Sequence, residues 1–240
     1  MELDGKRVLV IGGSSGMGFA VARAAIDQGA LVTIASSNAA RVDDAVARLG
    51  GGEGVCLDVT DEDAVAAFFE NRLPFDHIAF TAADWAQVEH ANFARLNLRA
   101  NEVLFGVRFW GALNVAKHGA TRIPAGGSLI LTNGMAAHRP QKGMAIATAM
   151  AGAVEHLVIG LATELAPVRV NGVCPGAILT EAWDDVPPEF RKVQEERLAG
   201  QLVPRVGTPE EAAEAYIYLM RGTYTTAQVL RVEGGWTYTG

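Results

Sequence analysis

The segment VLVIGGSSGMG at residues 8–18 decides the fold of this chain. Val8–Ile11 is a continuous apolar run, which is typical of a strand buried on both faces of a parallel sheet. A loop of glycine and serine follows it, and a helical pattern of small residues continues to about Gln28. A strand, a glycine-rich loop and a helix in this order predict a dinucleotide site, in which amides at the helix N-terminus face phosphate groups.

Three glycines in this loop have separate expected roles. Gly12 permits a tight turn, Gly16 lets a pyrophosphate approach the backbone, and Gly18 lets the helix pack closely. The spacing alone also fits a plain glycine-rich turn. Its position directly between the first strand and the first helix favours the dinucleotide interpretation.

Short apolar runs alternate with helical segments along the rest of the chain. Further strands are expected at residues 31–35, 54–58, 77–81, 128–132, 169–173 and 228–232. The alternation predicts an α/β protein with a single-domain Rossmann fold over residues 1–240, in which a doubly wound parallel sheet of about seven strands carries helices on both faces. A long irregular stretch within residues 181–206 is expected to form a substrate-loop flap in this domain.

The composition argues against several classes of function. The chain has 240 residues and a net charge of −7, so we expect no nucleic-acid partner. No run of about 18 consecutive apolar residues is present, so we expect no membrane span. Cys56 and Cys174 are too few for a disulfide or metal framework, and the first residues lack the layout of a signal peptide. These features predict a cytoplasmic protein without a metal site.

Several segments resemble the short-chain dehydrogenase/reductase family, and the resemblance covers nearly the whole chain. They are the glycine loop, LDV at residues 57–59, VNGVCPGAILT at residues 170–180, and the C-terminal pattern at residues 207–211 and 232–235. In the last segment Glu233 stands where the family usually has aspartate. The resemblance implies a Rossmann-fold oxidoreductase with a nicotinamide dinucleotide cofactor and a small-molecule substrate.

The resemblance also assigns cofactor contacts. In the family the aspartate after the third strand contacts adenine, and the Pro-Gly…Thr segment holds the nicotinamide carboxamide and the pyrophosphate. The positions of this chain that match these contacts are Gly12, Ser14, Ser15, Gly16, Met17, Gly18, Asp58, Val59, Thr81, Ala82, Ala83, Pro175, Gly176, Ile178 and Thr180.

The end of the second strand predicts NADP rather than NAD. NAD-specific sites usually place a carboxylate there to bind the ribose 2′-hydroxyl. This chain has Ser36, Ser37 and Asn38 instead, with Arg41 close behind. Hydroxyl, amide and guanidinium groups can accept a 2′-phosphate. For Arg41, a solvated residue in the first turn of a helix is the alternative interpretation.

The family's Tyr-x-x-x-Lys pair is absent from this sequence. Alignment from the segments on either side places Ala147 at the tyrosine position, Ala151 at the lysine position and Gly134 at the serine position. The 13-residue gap between Gly134 and Ala147 is the one the family requires. These small residues are expected to open space beside the nicotinamide.

Two polar residues are candidates for the missing catalytic groups. Arg108 falls at the family's asparagine position and could restore the lost positive charge, although a helix-surface or subunit-interface arginine is the alternative. His138 follows the fifth strand and could transfer a proton near neutral pH, although a loop-surface histidine is the alternative. The expected substrate pocket also includes Asn133, Gly134, Lys142 and Trp183.

Three functions remain open from the sequence. The first is an NADP-dependent oxidoreductase that transfers a hydride to an imine, an iminium ion or a conjugated acceptor, because an iminium ion needs no proton donor. The second is an inactive NADP-binding pseudoenzyme acting as a sensor or scaffold, and the third is a non-redox isomerase or lyase. Small residues at 148–154 would let a helix pack against a second copy in a homodimer or homotetramer, or densely against its own sheet.

Overall fold

The computed structural model describes residues 3–83, 93–99, 102–181 and 198–239. Its centre is a sheet of seven parallel strands in the order β3-β2-β1-β4-β5-β6-β7. The strands are β1 Arg7–Ile11, β2 Leu31–Ser36, β3 Glu53–Cys56, β4 His77–Phe80, β5 Ser128–Thr132, β6 Arg169–Pro175 and β7 Val229–Val232. The chain reverses its direction of winding between β1 and β4, which is where ligands bind in sheets of this kind. The predicted fold class is confirmed.

Helices pack against both faces of this sheet. They are α1 Gly16–Asp27, α2 Ala39–Leu49, α3 Glu62–Glu70, α4 Val103–Phe105, α5 Ala112–His118, α6 Ala145–Glu164 and α7 Pro209–Arg221. A π-helical turn, Gly106–Gly111, joins α4 to α5. Short polar side chains begin several helices: Asn38 caps α2, Asp61 caps α3, and Thr208 forms a capping box with Glu211 at α7.

Two large apolar clusters form most of the core, one on each face of the sheet, and a third, small cluster joins Met135, Cys174 and Trp236. Successive residues of β1 alternate between the two large clusters: Leu9 and Ile11 join the cluster beneath α5 and α6, whereas Val8 and Val10 join the cluster beneath α1 and α7. A strand covered on both faces buries every side chain, which explains the uninterrupted apolar run in the sequence.

Helix α6 is the one described helix that meets the length and composition criterion for a membrane span, with 20 residues and a mean hydropathy of 1.6. Thr148, Gly152, Glu155 and His156 interrupt its apolar residues, so the sequence contains no continuous run there. One face of the helix packs on β6 and on the turn after β5. Its buried residues are Ala147, Met150, Ala151, Val154 and Val158.

Candidate active site

The candidate site lies at the carboxyl ends of β1, β4, β5 and β6. Its first part is the turn after β1, where Gly12 donates its amide to Ala35 at the end of β2. Thr81, just after β4, donates both its amide and its hydroxyl to the carbonyl of Ile11, at 2.8 Å each. These bonds fix the start of the glycine loop against two neighbouring strands.

Steric contacts explain the two outer glycines of the loop. Gly12 has φ +84°, and a Cβ there would lie 2.6 Å from the amide nitrogen of Ala82. A Cβ on Gly18 would lie 2.2 Å from the carbonyl oxygen of Gly12. Neither position tolerates a side chain, because helix α1 packs directly on the turn that precedes it.

The middle glycine lies at the N-terminus of α1. Gly16 has φ +53°, and its amide donates to a carboxylate oxygen of Glu181 at 2.9 Å. The first turn of α1 carries no acidic residue, and Ser15 at the N-cap makes no side-chain cap hydrogen bond. An anionic oxygen therefore lies where a phosphate oxygen would be stabilised, so the loop fits a dinucleotide phosphate.

The end of β2 presents exposed polar groups. Asn38 accepts a hydrogen bond from the amide of Arg41 at 3.0 Å, so its side-chain oxygen is used to cap α2. Ser37, Asn38 and Arg41 are all exposed, and no ion pair involves Arg41 among the described residues. The Arg41 guanidinium is therefore available to an anionic ligand at this edge.

Two expected cofactor residues after β3 have clear structural contacts. Asp58 accepts hydrogen bonds from the amide and the hydroxyl of Thr60, at 2.9 and 2.7 Å. Val59 is buried, and its carbonyl accepts from the Asn114 side chain at 3.0 Å. Asp58 remains exposed at the sheet edge, whereas Val59 anchors α5 to this turn.

The segment after β6 lies close to the phosphate loop. A Cβ on Gly176 would lie 2.8 Å from the Cα of Glu233, so β6 and β7 end in close contact. The backbone at Leu179 donates to Gly207, which holds the segment extended. The Thr180 methyl then lies 3.2 Å from where a Gly16 Cβ would be. Two residues 164 positions apart thus meet at the N-terminus of α1.

The resemblance aligns Gly134, Ala147 and Ala151 with the family's serine, tyrosine and lysine, and the helix that carries the two alanines packs on the turn after β5. Gly134 follows the strand, and a Cβ there would meet nothing within 4 Å. Ala147 and Ala151 lie one turn apart on α6 and are 2% and 1% exposed. Open space is therefore found at Gly134 but not at the two alanines, whose side chains are enclosed by protein.

Arg108 is an interior residue. It lies in the π-helical turn, is 6% exposed, and donates from a terminal guanidinium nitrogen to the carbonyl oxygen of Asn133 at 2.8 Å. Burial lowers the pKa of its guanidinium to about 10, which still leaves it protonated at neutral pH. The helix-surface alternative is therefore wrong, and the residue places a positive charge behind the turn after β5.

His138 also belongs to this turn, and it meets a residue that sequence reasoning missed. Its Nε2 lies 3.0 Å from a carboxylate oxygen of Glu155 on α6, and both side chains are mostly buried. The Asn133 side-chain amide donates to the same oxygen at 3.2 Å. The available signal was an isolated acid in an apolar helix, one turn after Ala151. Lys142 is exposed and joins none of these contacts.

Thr132 and Tyr216 form a closed hydrogen-bond chain under the other face of the sheet. The Thr132 hydroxyl donates to the carbonyl of Phe80 at 2.6 Å and accepts from the Tyr216 hydroxyl at 2.6 Å. Burial raises the pKa of Tyr216 to about 12. Trp183 and most of the expected flap at residues 181–206 lie outside the described residues.

A family model described as enoyl-(acyl carrier protein) reductase matches residues 12–237. A protein named short-chain dehydrogenase/reductase ucsE, from Acremonium sp., is 35% identical over 261 residues, covering 98% of this chain and 96% of its own. The chain belongs to the short-chain dehydrogenase/reductase family.

Solved structures agree with this assignment to the short-chain dehydrogenases/reductases. The MalC reductase/Diels-Alderase from Malbranchea aurantiaca has a TM-score of 0.90 and 31% identity, covering 98% of this chain and 97% of its own. A small-chain dehydrogenase in complex with NADPH has a TM-score of 0.83 and 31% identity, covering 98% and 99%.

Proposed function

We propose that this short-chain dehydrogenase/reductase is an NADPH-dependent reductase of an imine, an iminium ion or a conjugated small-molecule acceptor. The observation that carries the proposal is a contrast within one site. The phosphate loop keeps each glycine that its geometry requires, whereas Gly134, Ala147 and Ala151 stand at the family's three proton-transfer positions. Hydride transfer therefore proceeds here without the family's tyrosine and lysine.

The chain's own groups account for cofactor binding. The amides at the N-terminus of α1 and Thr180 would hold the pyrophosphate, Arg41 would bind the 2′-phosphate, and Asp58 would contact the adenine. Bound NADPH supplies the hydride. The relative solved with NADPH, at 31% identity over nearly the whole chain, supports this cofactor.

The acceptor follows from what the described site lacks. Reduction of a simple ketone needs a proton at oxygen, and loss of a positioned general acid costs about 10²–10⁴ in rate. An iminium ion already carries its positive charge and needs only proximity and orientation. Arg108 contributes by fixing the carbonyl of Asn133, which holds the turn that carries Gly134.

Two measurements test the proposal in order. Calorimetric titration should show NADPH binding at least tenfold tighter than NADH. Absorbance at 340 nm should then show NADPH consumption with cyclic iminium ions or conjugated ketones, and none with the corresponding saturated ketones. Tight NADPH binding with no turnover across the panel would favour a sensor or scaffold instead.

A non-redox reaction is the second candidate, favoured by one relative. The structure of TM-score 0.90 is described as both a reductase and a Diels-Alderase. A site without the family's tyrosine and lysine can still accelerate a reaction by holding two reacting groups together. Turnover of a diene substrate in the presence of NADP⁺, with no net redox change, would support this candidate.

We also propose that the protein forms a homodimer or homotetramer through α6. Only 28% of the apolar window of this helix is buried within one chain, and Ile159 is 49% exposed. A second copy of the same helix would cover this face. Light scattering should give two or four times 25.3 kDa, and Ile159→Glu should shift the mass toward the monomer.

A further inference from the structure

We propose that Glu181 competes with the cofactor for the N-terminus of α1. In the free protein its carboxylate occupies the position of a phosphate oxygen, and NADPH binds only after this contact opens. The protein therefore inhibits its own cofactor binding until Glu181 moves away. The inference goes beyond the proposed function, because it concerns the cofactor site and holds for any acceptor.

One hydrogen bond carries the inference. Gly16, the first residue of α1, donates its amide to a carboxylate oxygen of Glu181 at 2.9 Å. The same oxygen lies 3.6 Å from where a Gly16 Cβ would be, and the Thr180 methyl lies 3.2 Å from that point. Hydrogen bonds to an ionised acceptor are about twice as strong as neutral ones. Glu181 therefore holds the amide that a phosphate oxygen would use.

The N-terminus of α1 depends on an acceptor from elsewhere in the chain or from a ligand. Ser15 at the N-cap makes no side-chain cap hydrogen bond, and the first turn carries no acidic residue. The first amides of a helix lack partners within the helix, and they favour an anion. In the free protein Glu181 supplies that anion from 165 positions away. A phosphate would bring the same charge to the same place, so the two groups compete.

The backbone just before Glu181 is fixed, which keeps the carboxylate close to the phosphate loop. Leu179 donates its amide to the carbonyl of Gly207 at 2.8 Å, and Gly207 donates its amide to the carbonyl of Ala177 at 2.9 Å. Ile178 and Gly207 also pair as an isolated parallel bridge. Glu181 lies only two residues beyond Leu179, so it acts on α1 at a high effective concentration.

The contact can also open. Glu181 is exposed, and no ion pair among the residues that the structure describes includes its carboxylate. A hydrogen bond of this kind favours the closed arrangement by about three- to tenfold. The apparent affinity for a ligand falls in proportion to the fraction of protein that can bind it. Glu181 should therefore weaken NADPH binding by about the same factor.

The rate constants of NADPH binding test this competition directly. Stopped-flow measurement of nicotinamide fluorescence gives the association and dissociation rate constants separately. Glu181→Ala should raise the association rate constant about three- to tenfold and leave the dissociation rate constant within about twofold, because the contact exists only in the free protein. The matched control is Glu164→Ala, which removes an exposed acid at the end of α6 and should change neither constant. An unchanged association rate constant in Glu181→Ala would overturn the inference.

A ligand without a pyrophosphate separates local competition from a general effect of charge. 2′-AMP carries the adenosine and the 2′-phosphate but has no pyrophosphate for the N-terminus of α1. By calorimetry, Glu181→Ala should tighten NADPH binding about three- to tenfold and leave 2′-AMP binding unchanged. Equal gains for the two ligands would overturn the inference, because the carboxylate would then act only through the net charge of the protein.

A spectroscopic measurement needs no variant and no acceptor. In ¹³C spectra of the wild-type protein, NADPH should move the side-chain carboxyl resonance of Glu181 toward that of an exposed glutamate such as Glu164. The Gly16 amide resonance should move in the same titration, and 2′-AMP should leave both in place. A Glu181 carboxyl resonance that is identical in the free and the NADPH-bound protein would overturn the inference, whether or not any acceptor consumes NADPH.

Discussion

The phosphate loop and the turn after β5 lie at the same edge of one sheet but follow different rules. The loop is shaped by its backbone atoms. Its required residues are glycines at which an added Cβ would collide with neighbouring atoms, such as Gly12 and Gly18. The turn after β5 depends on side chains that arrive from other elements, namely Arg108 from the π-helical turn and Glu155 from α6.

A site built from backbone atoms and a site built from side chains are expected to tolerate substitution differently. A site built from backbone atoms binds the part of the ligand that does not vary, here the cofactor. Almost any side chain added to that site would remove binding. A side-chain site can exchange its groups while the sheet keeps the same positions. Substitutions in the phosphate loop are therefore expected to cause a large loss of cofactor affinity. Substitutions around the turn after β5 are expected to cause smaller, graded changes.

The largest effect is expected from Gly18→Val in the phosphate loop. A Cβ there would lie 2.2 Å from the carbonyl oxygen of Gly12, so the turn must open. We expect NADPH affinity to fall more than 100-fold, as measured by calorimetry. The matched control is Gly51→Ala in the turn between α2 and β3, where a Cβ meets nothing within 4 Å. That change should leave NADPH binding intact. If the valine variant bound NADPH within tenfold of wild type, the requirement for glycine at this position would be contradicted.

The next effect is expected from Arg108→Ala, near the turn after β5. The change leaves the buried carbonyl of Asn133 without this donor and removes a large buried side chain. We expect the free energy of unfolding to fall by about 2–4 kcal/mol in urea denaturation, with NADPH affinity changed less than threefold. The exposed Arg41→Ala variant should unfold within about 0.5 kcal/mol of wild type. Unchanged stability in Arg108→Ala would show that the guanidinium is not part of the core.

A smaller effect is expected from Arg41→Ala on cofactor choice. A charge-assisted contact to the 2′-phosphate contributes about 1.5 kcal/mol at an exposed position, which is roughly tenfold in affinity. NADPH should therefore bind about tenfold more weakly, while NADH, which has no 2′-phosphate, should bind as before. Arg95→Ala, another exposed arginine, serves as the control. An equal loss of affinity for NADPH and NADH would mean that Arg41 stabilises the fold or contacts the pyrophosphate instead.

The alignment of Gly134, Ala147 and Ala151 with the family's catalytic positions stays a prediction. The sequence predicted the parallel sheet of about seven strands, which the structure confirms, and the glycine loop between the first strand and the first helix. These follow from local patterns, because a continuous apolar strand and a close-packed glycine are each visible within a few residues. The burial of Arg108 and the contact of Glu155 with His138 could not be predicted in this way. Each depends on the packing of elements far apart in the chain, and in the sequence a charged residue in a helix usually indicates a solvated face.

The smallest effect is expected at Glu181, which reaches the phosphate loop from the segment after β6. Its carboxylate accepts from the amide of Gly16 at 2.9 Å and so holds the place of a phosphate oxygen. Cofactor binding must displace this contact and bring a pyrophosphate near a like charge. Glu181→Gln should therefore tighten NADPH binding about three- to tenfold, since a hydrogen bond of this kind contributes about 0.5–1.5 kcal/mol. The gain in affinity should shrink at high salt, because part of it comes from relief of charge repulsion.

The control is Glu210→Gln in the first turn of α7, which removes one negative charge in the same way and should leave the NADPH affinity unchanged. Weaker binding in Glu181→Gln would mean that the carboxylate organises the loop for the cofactor rather than competing with it.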